Sequence, residues 1–149
     1  MKTAHFIELR VFCKEEDNEE SITQKIYELF PFDFKKEKIE LKSRNFIGDN
    51  DKIIKIITIL GKKERHTRKI LENLSKHLTS EQKELLLEQL ESRLDHNLHF
   101  FIRLEKDNLL KGEYVITEGG NCFHLKIAVA AYPHKRDVAK NIVRSWLEN

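Results

Sequence analysis

The chain has 149 residues, 35% of them Asp, Glu, Lys or Arg, and its 27 Lys and Arg against 25 Asp and Glu leave a net charge of only +2. That length suits one domain, 1–149, with a real hydrophobic core, and the near-balance of charge excludes a uniformly basic polyanion binder. No stretch approaches the roughly 18 apolar residues of a membrane span, and MKTAHFIELRVF lacks the apolar region and cleavage site of a secretory leader, so a soluble, cytoplasmic protein without membrane contact is expected.

Ala4 to Phe12 alternates as a strand, with His5, Ile7, Leu9, Val11 and Cys13 toward the core and Phe6, Glu8, Arg10 and Phe12 on the other side. Asp17 with Glu20 reads as a capping box for a helix whose stripe is Ile22, Ile26, Leu29 and Phe30, ended by Pro31. From Lys36 to Phe46 the chain alternates again, and its outer row is mostly cationic. Lys52 to Leu60, beyond the turn at Gly48 to Asp51, carries isoleucine on both parities, as in a strand buried on two sides.

Cations crowd the start of the next helix, whose core stripe is Ile70, Leu71, Leu74 and Leu78. Thr79 and Gln82 form another capping box, opening a helix with Leu86, Leu87, Leu90 and Leu94 inward. Phe100 to Glu105 is a strand, with Phe100, Ile102 and Leu104 toward the core and Phe101, Arg103 and Glu105 opposite. Asp107 to Lys111 makes a helical turn ended by Gly112. Glu113 to Thr117 and Cys122 to Ala131 then read as a hairpin about the Glu118-Gly119-Gly120-Asn121 turn, with His124 and Lys126 on its outer side. Pro133 leads into a last helix marked by Val138, Ile142 and Trp146. The order βαββααβββα gives a single α+β domain, a mainly antiparallel sheet of about six strands with helices packed mostly on one side.

The charges are unevenly spread. Residues 14–34 carry 2 cations against 7 acids, whereas residues 35–69 carry 12 against 5. Two helices begin with cations where acids would suit the helix dipole: Arg65, Arg68 and Lys69 in one, His134, Lys135 and Arg136 in the other. A helix start already offers free N–H groups, so these are candidate phosphate contacts, with solvated lysine-rich surface as the alternative. The outer sheet face adds Lys42, Arg44, Arg103, Lys126 and His124 around Phe101. Cations interleaved with an aromatic suit single-stranded or looped RNA, unless helices or a second subunit cover that face.

Other chemistry has weaker support. His96 and His99 have ligand-like spacing but run into a strand, which turns the rings to different sides, so no metal or cofactor is expected. Glu105 and Asp107 are one acidic pair among 25 acids, Gly119-Gly120 precedes a strand rather than a helix, and no nucleophile motif occurs. Cys13 and Cys122 sit in apolar strands as small hydrophobes. No enzymatic activity is expected.

HFIELRVF at the start, the acidic break before a helix ending LFP, the GDN turn and FIRLEKDNLLKG together resemble an archaeal family of predicted exosome-associated RNA-binding proteins. In the last motif the family's Arg, acid and Lys pattern falls on Arg103, Glu105 and Lys106, while Asp107 stands where relatives often have glutamine. The resemblance implies a fold similar to the ribosomal protein that binds five-S RNA. It also implies an RNA partner, exosome or other RNA-processing proteins as further partners, and Arg103 with Lys106 near the centre of the site. The rival expectation is a structural or protein-interaction module that forms a homodimer or docks on a processing complex.

Overall fold

The computed structural model describes residues 2–149 and places five strands in one open antiparallel sheet of order β2-β3-β1-β5-β4. The strands are β1 (Ala4–Cys13), β2 (Leu41–Ile47), β3 (Ile53–Gly61), β4 (His99–Glu105) and β5 (Cys122–Val129). The helices are α1 (Glu19–Leu29), α2 (Phe34–Glu37), α3 (Glu64–His77), α4 (Ser80–Glu88), α5 (Leu90–Arg93), α6 (Lys106–Leu110) and α7 (Arg136–Glu148). Strand alternation sends Ile7, Leu9, Val11, Ile57, Ile59, Phe100, Ile102, Leu104, Phe123, Leu125 and Ile127 to one side of the sheet. There they meet Ile22, Ile26 and Leu29 of α1, Ile70, Leu71 and Leu74 of α3, and Ala139, Val143 and Leu147 of α7 in one core. The helices share that side, leaving the other face of the sheet open.

Several elements depart from the sequence reading. A register shift between Ala4 and Phe6 buries Ala4 and turns His5 outward. Asn18, not Asp17, caps α1 by accepting the Ser21 N–H at 3.1 Å, which frees Asp17 for another role. β2 starts later than expected because Asp33 caps the short α2 through the Lys36 N–H and Lys38 leaves that helix in the left-handed conformation (φ 57°). β3 buries one side only: Ile57 and Ile59 face the core, while Ile54, Ile56 and Leu60 lie half-buried on the open face.

Thr79 caps α4 as expected, but the Gln82 side chain accepts the Ile116 N–H at 2.6 Å instead of closing the box. On α7, Ala139, Val143 and Leu147 point inward, and Val138, Ile142 and Trp146 flank them half-buried. The expected hairpin arm at 113–117 does not pair with β5, whose two edges are occupied by β1 and β4. It lies along the outer edge of β4 instead, where the Thr117 N–H donates to the Arg103 carbonyl and the Glu105 N–H to the Val115 carbonyl. The sheet therefore has five strands, and β2 is its uncovered edge.

Candidate nucleic-acid interface

Antiparallel pairing on the open face sets the site. Register brings Lys42 opposite Thr58, Thr58 opposite Arg10, Arg10 opposite His124 and His124 opposite Arg103, one row across all five strands. At the usual interstrand spacing that row is roughly 19 Å long. A second row runs Arg44, Ile56, Phe12, and a third runs Leu60, Glu8, Lys126, Phe101. Four of the five side chains in the first row are basic, yet their sequence positions span residues 10 to 124.

Local contacts aim these groups. The Arg103 Nη1 donates to the Glu118 carbonyl at 3.2 Å, which holds the guanidinium beside the 118–121 turn. Arg10 lies 3.5 Å and Lys126 3.9 Å from the same Glu8 oxygen, so Glu8 partly offsets the middle of the patch. The Lys126 ammonium also lies 5.7 Å from the centre of the Phe6 ring. Burial, then the neighbouring Arg103 and Arg10, push the His124 imidazole below its ordinary pKa, keeping it neutral near pH 7.

Aromatic rings are threaded between the cations. Phe101 lies 5.4 Å from His124, and exposed Phe12 meets exposed Phe46 edge-on at 6.1 Å. Between β1, β5 and the 118–121 turn is a depression of about 210 Å³ lined by Arg10, Phe12, Arg103, Gly120, Cys122 and His124. Burial pushes up both the Cys122 and Cys13 thiols, so neither is a ready nucleophile.

The candidate cations divide into distinct places. Lys42, Arg44, Arg103 and Lys126 share the open face. Lys106 does not: it is 1% exposed, and its ammonium donates to Asp17 Oδ2 at 3.0 Å and to the Phe12 carbonyl, which leaves it no surface from which to meet a phosphate. Glu105 caps α6 by accepting the Asp107 and Asn108 N–H groups. FIRLEKDNLLKG is thus largely a strand-to-helix junction, closed at Gly112 with φ 93°.

Arg65, Arg68 and Lys69 lie exposed on α3, in the helix layer, with Glu37 2.7 Å from Arg65 and Glu64 3.9 Å from Arg68. Glu64 also supplies an acid in the first turn of α3. His134 and Lys135 precede α7 in solvent, and Arg136 is tied to the Glu91 side chain and to the Glu91 and Asp95 carbonyls.

Reasoning from sequence left out Arg10, Phe12 and Phe46. Alternation had placed Arg10 and Phe12 on the outer side, which was signal enough to name them; Phe46 required the β2–β3 register. It also missed Arg93, which is 7% exposed and whose guanidinium bonds Gln89, the Phe101 carbonyl and Glu118 beneath that turn.

The protein is an α+β protein whose uncovered antiparallel sheet carries a basic row and exposed aromatics, a combination suited to nucleic acid. The family model described as RNA binding matches residues 6–129, and the chain belongs to that family. It is 31% identical over 145 residues to an RNA-binding protein of Pyrococcus abyssi, covering 97% of this chain and 94% of that one. Among solved structures it is similar to a DUF54 protein of Methanothermobacter thermautotrophicus at 25% identity and TM-score 0.79, covering 97% of this chain and 98% of that one. A DUF54 protein of Sulfolobus solfataricus shares the fold at 17% identity and TM-score 0.72, covering 94% of this chain and 98% of that one. No helix among the described residues is long and apolar enough to cross a membrane.

Proposed function

We propose that the protein is a non-catalytic RNA-binding module that holds RNA on the open face of its sheet. The carrying observation is the row Lys42, Thr58, Arg10, His124, Arg103, which sets cations at strand spacing across a surface no helix covers. Arg44 and Lys126 widen it. Arginine suits bidentate phosphate contacts, and lysine supplies point charge. The name of the Pyrococcus abyssi relative supports RNA as the ligand. In this reading the protein works in the cytoplasm as an accessory to exosome-type RNA processing, the setting that the resemblance carried by FIRLEKDNLLKG implies.

The test is a titration of labelled single-stranded RNA at several salt concentrations. Charge reversal of Arg10 and Arg103 together is expected to weaken binding more than tenfold and to reduce the log–log salt slope by about 1.4, the value for two lost contacts to a single strand. A parallel variant, Arg68→Glu with Lys69→Glu, measures the helix-layer cluster. A larger loss there than on the sheet would move the site and overturn the proposal.

One observation favours a second reading. Phe46, Ile47 and Ile53 are 38%, 72% and 51% exposed beside the uncovered β2 edge, as they would be in a module that dimerises or docks there. That reading predicts a dimeric mass by light scattering together with negligible RNA affinity.

A further inference from the structure

The depression between Arg10 and Arg103 has features that phosphate binding does not use. Its floor and walls are one exposed phenyl ring, two guanidiniums, a neutral imidazole, a thiol and a glycine turn, and no carboxylate stands among these six residues. Phe12 is 37% exposed although it sits in the central strand of the sheet, and with Phe46, 38% exposed, it makes an aromatic patch on the open face. Phe46 packs against it in a T-shaped pair with ring centroids 6.1 Å apart, and the exposed remainder of the Phe12 ring lines the depression.

We infer that this depression receives one unstacked base of single-stranded RNA, laid on Phe12, and that it selects a base with a carbonyl oxygen in place of the amino group of cytosine N4 or adenine N6, that is, uracil or guanine. The inference rests on the reading of the sheet face as the RNA surface and adds the form of RNA and the class of base. Bases inside an A-form helix are already stacked on one another and are not free to lie on a protein ring, which is why a single strand is required. The base class follows from the donors. Arg10 and Arg103 present N–H groups and no acceptor; Arg103 commits Nη1 to the Glu118 carbonyl and Arg10 turns Nη2 toward Glu8 Oε1 at 3.5 Å, leaving their other donors for a ligand. Guanine offers O6 and N7 to such a pair, and uracil offers its carbonyl oxygens. Where uracil has O4 and guanine O6, cytosine has the N4 and adenine the N6 amino group, which meets like donors. His124, carrying one donor and one acceptor while neutral, can meet the ring N–H that uracil and guanine share.

The experiment compares fluorescein-labelled oligouridylate, oligoadenylate and oligocytidylate of equal length, and one RNA duplex, by anisotropy at fixed salt. The wild-type protein is expected to bind oligouridylate about tenfold tighter than the other two and tighter than the duplex. Phe12→Ala is expected to lose about tenfold in oligouridylate affinity and to bring the three homopolymers together, while Phe12→Trp, which keeps a stacking surface, retains the preference. Equal binding of the three by the wild type overturns the inference, as does a preference that survives Phe12→Ala; Phe12→Trp carries the test if the alanine variant does not fold. Arg10→Glu with Arg103→Glu separates the two failures. If charge reversal abolishes binding but the homopolymers bind alike, only the base site falls. If charge reversal leaves RNA affinity unchanged, the sheet-face reading falls with it.

Discussion

Lys106→Ala probes the side chain whose sequence setting and structural setting differ most. Its stem runs buried from the start of α6 to the end of β1, and its ammonium donates to Asp17 Oδ2 at 3.0 Å and to the Phe12 carbonyl. Truncation removes that packing, leaves the carbonyl without this donor, and leaves Asp17 with the Lys14 N–H at 2.9 Å. Removing one partner of a buried pair costs about 3–5 kcal/mol, and the 19% exposure of the Asp17 side chain together with its remaining bond points to the lower end, about 3 kcal/mol. For a chain of this size that is a fall in midpoint of roughly 6–12 °C. Urea unfolding followed by circular dichroism measures it, with an unchanged m-value expected. Lys106→Met with Asp17→Asn should recover part of the loss by removing both charges. A cost below about 1 kcal/mol would refute the reasoning, and an RNA-binding defect without loss of stability would return Lys106 to the ligand. Burial alone would raise the Asp17 pKa, but the Lys14 amide and Lys106 outweigh it and hold it below the usual carboxylate value. The pair therefore stabilises the fold above the unfolded carboxylate pKa, and that contribution disappears as pH falls through the folded one.

Three further outcomes are expected. The hydrogen bonds from Arg65, then His66, hold the Glu37 carboxyl at about 2 against a usual 4.5, so its contribution is complete above pH 4.5 and is lost as pH falls toward 2. Glu37→Gln should flatten the pH dependence of thermal melts across that window, and identical slopes would count against the pairing. The base contact uses neutral His124, whose pKa lies below its ordinary 6.5, so the preference for oligouridylate over oligocytidylate should be level from pH 8 to pH 6.5 and fade as the imidazole protonates at lower pH in the wild type but not in His124→Gln, read by anisotropy at constant ionic strength. Arg93→Met should cost about 2 kcal/mol in urea unfolding and speed amide exchange across residues 118–121, because the Glu118 and Phe101 contacts go with the guanidinium; wild-type exchange there would show that the turn holds without it.

Much of the fold was legible because its signals are local. Alternation in β1, β4 and β5, the stripe of α3 and the Thr79 cap each follow from neighbouring residues and the period of the backbone. Local patterns also misled where a distant group competed for the same atoms. Asp17 looks like a cap and is a partner for Lys106, 89 residues away. Residues 113–117 look like a hairpin arm, but β1 and β4 already fill both edges of β5.

The amino-acid order by itself determined the core face of β4, of β5 and of β1 from Ile7 onward, that strands and helices mix in one α+β unit, and that positive charge gathers after residue 34. It also determined that Arg103 leaves the core side of its strand, because side-chain direction in a strand depends only on parity. Tertiary structure alone decided which cations meet. The β2-β3-β1-β5-β4 order and its register set Lys42, Arg10 and Arg103 in one row, and they buried Lys106, three residues beyond Arg103, against Asp17. Strand order and register come from packing all the elements on a common core, and no short stretch of sequence contains that information.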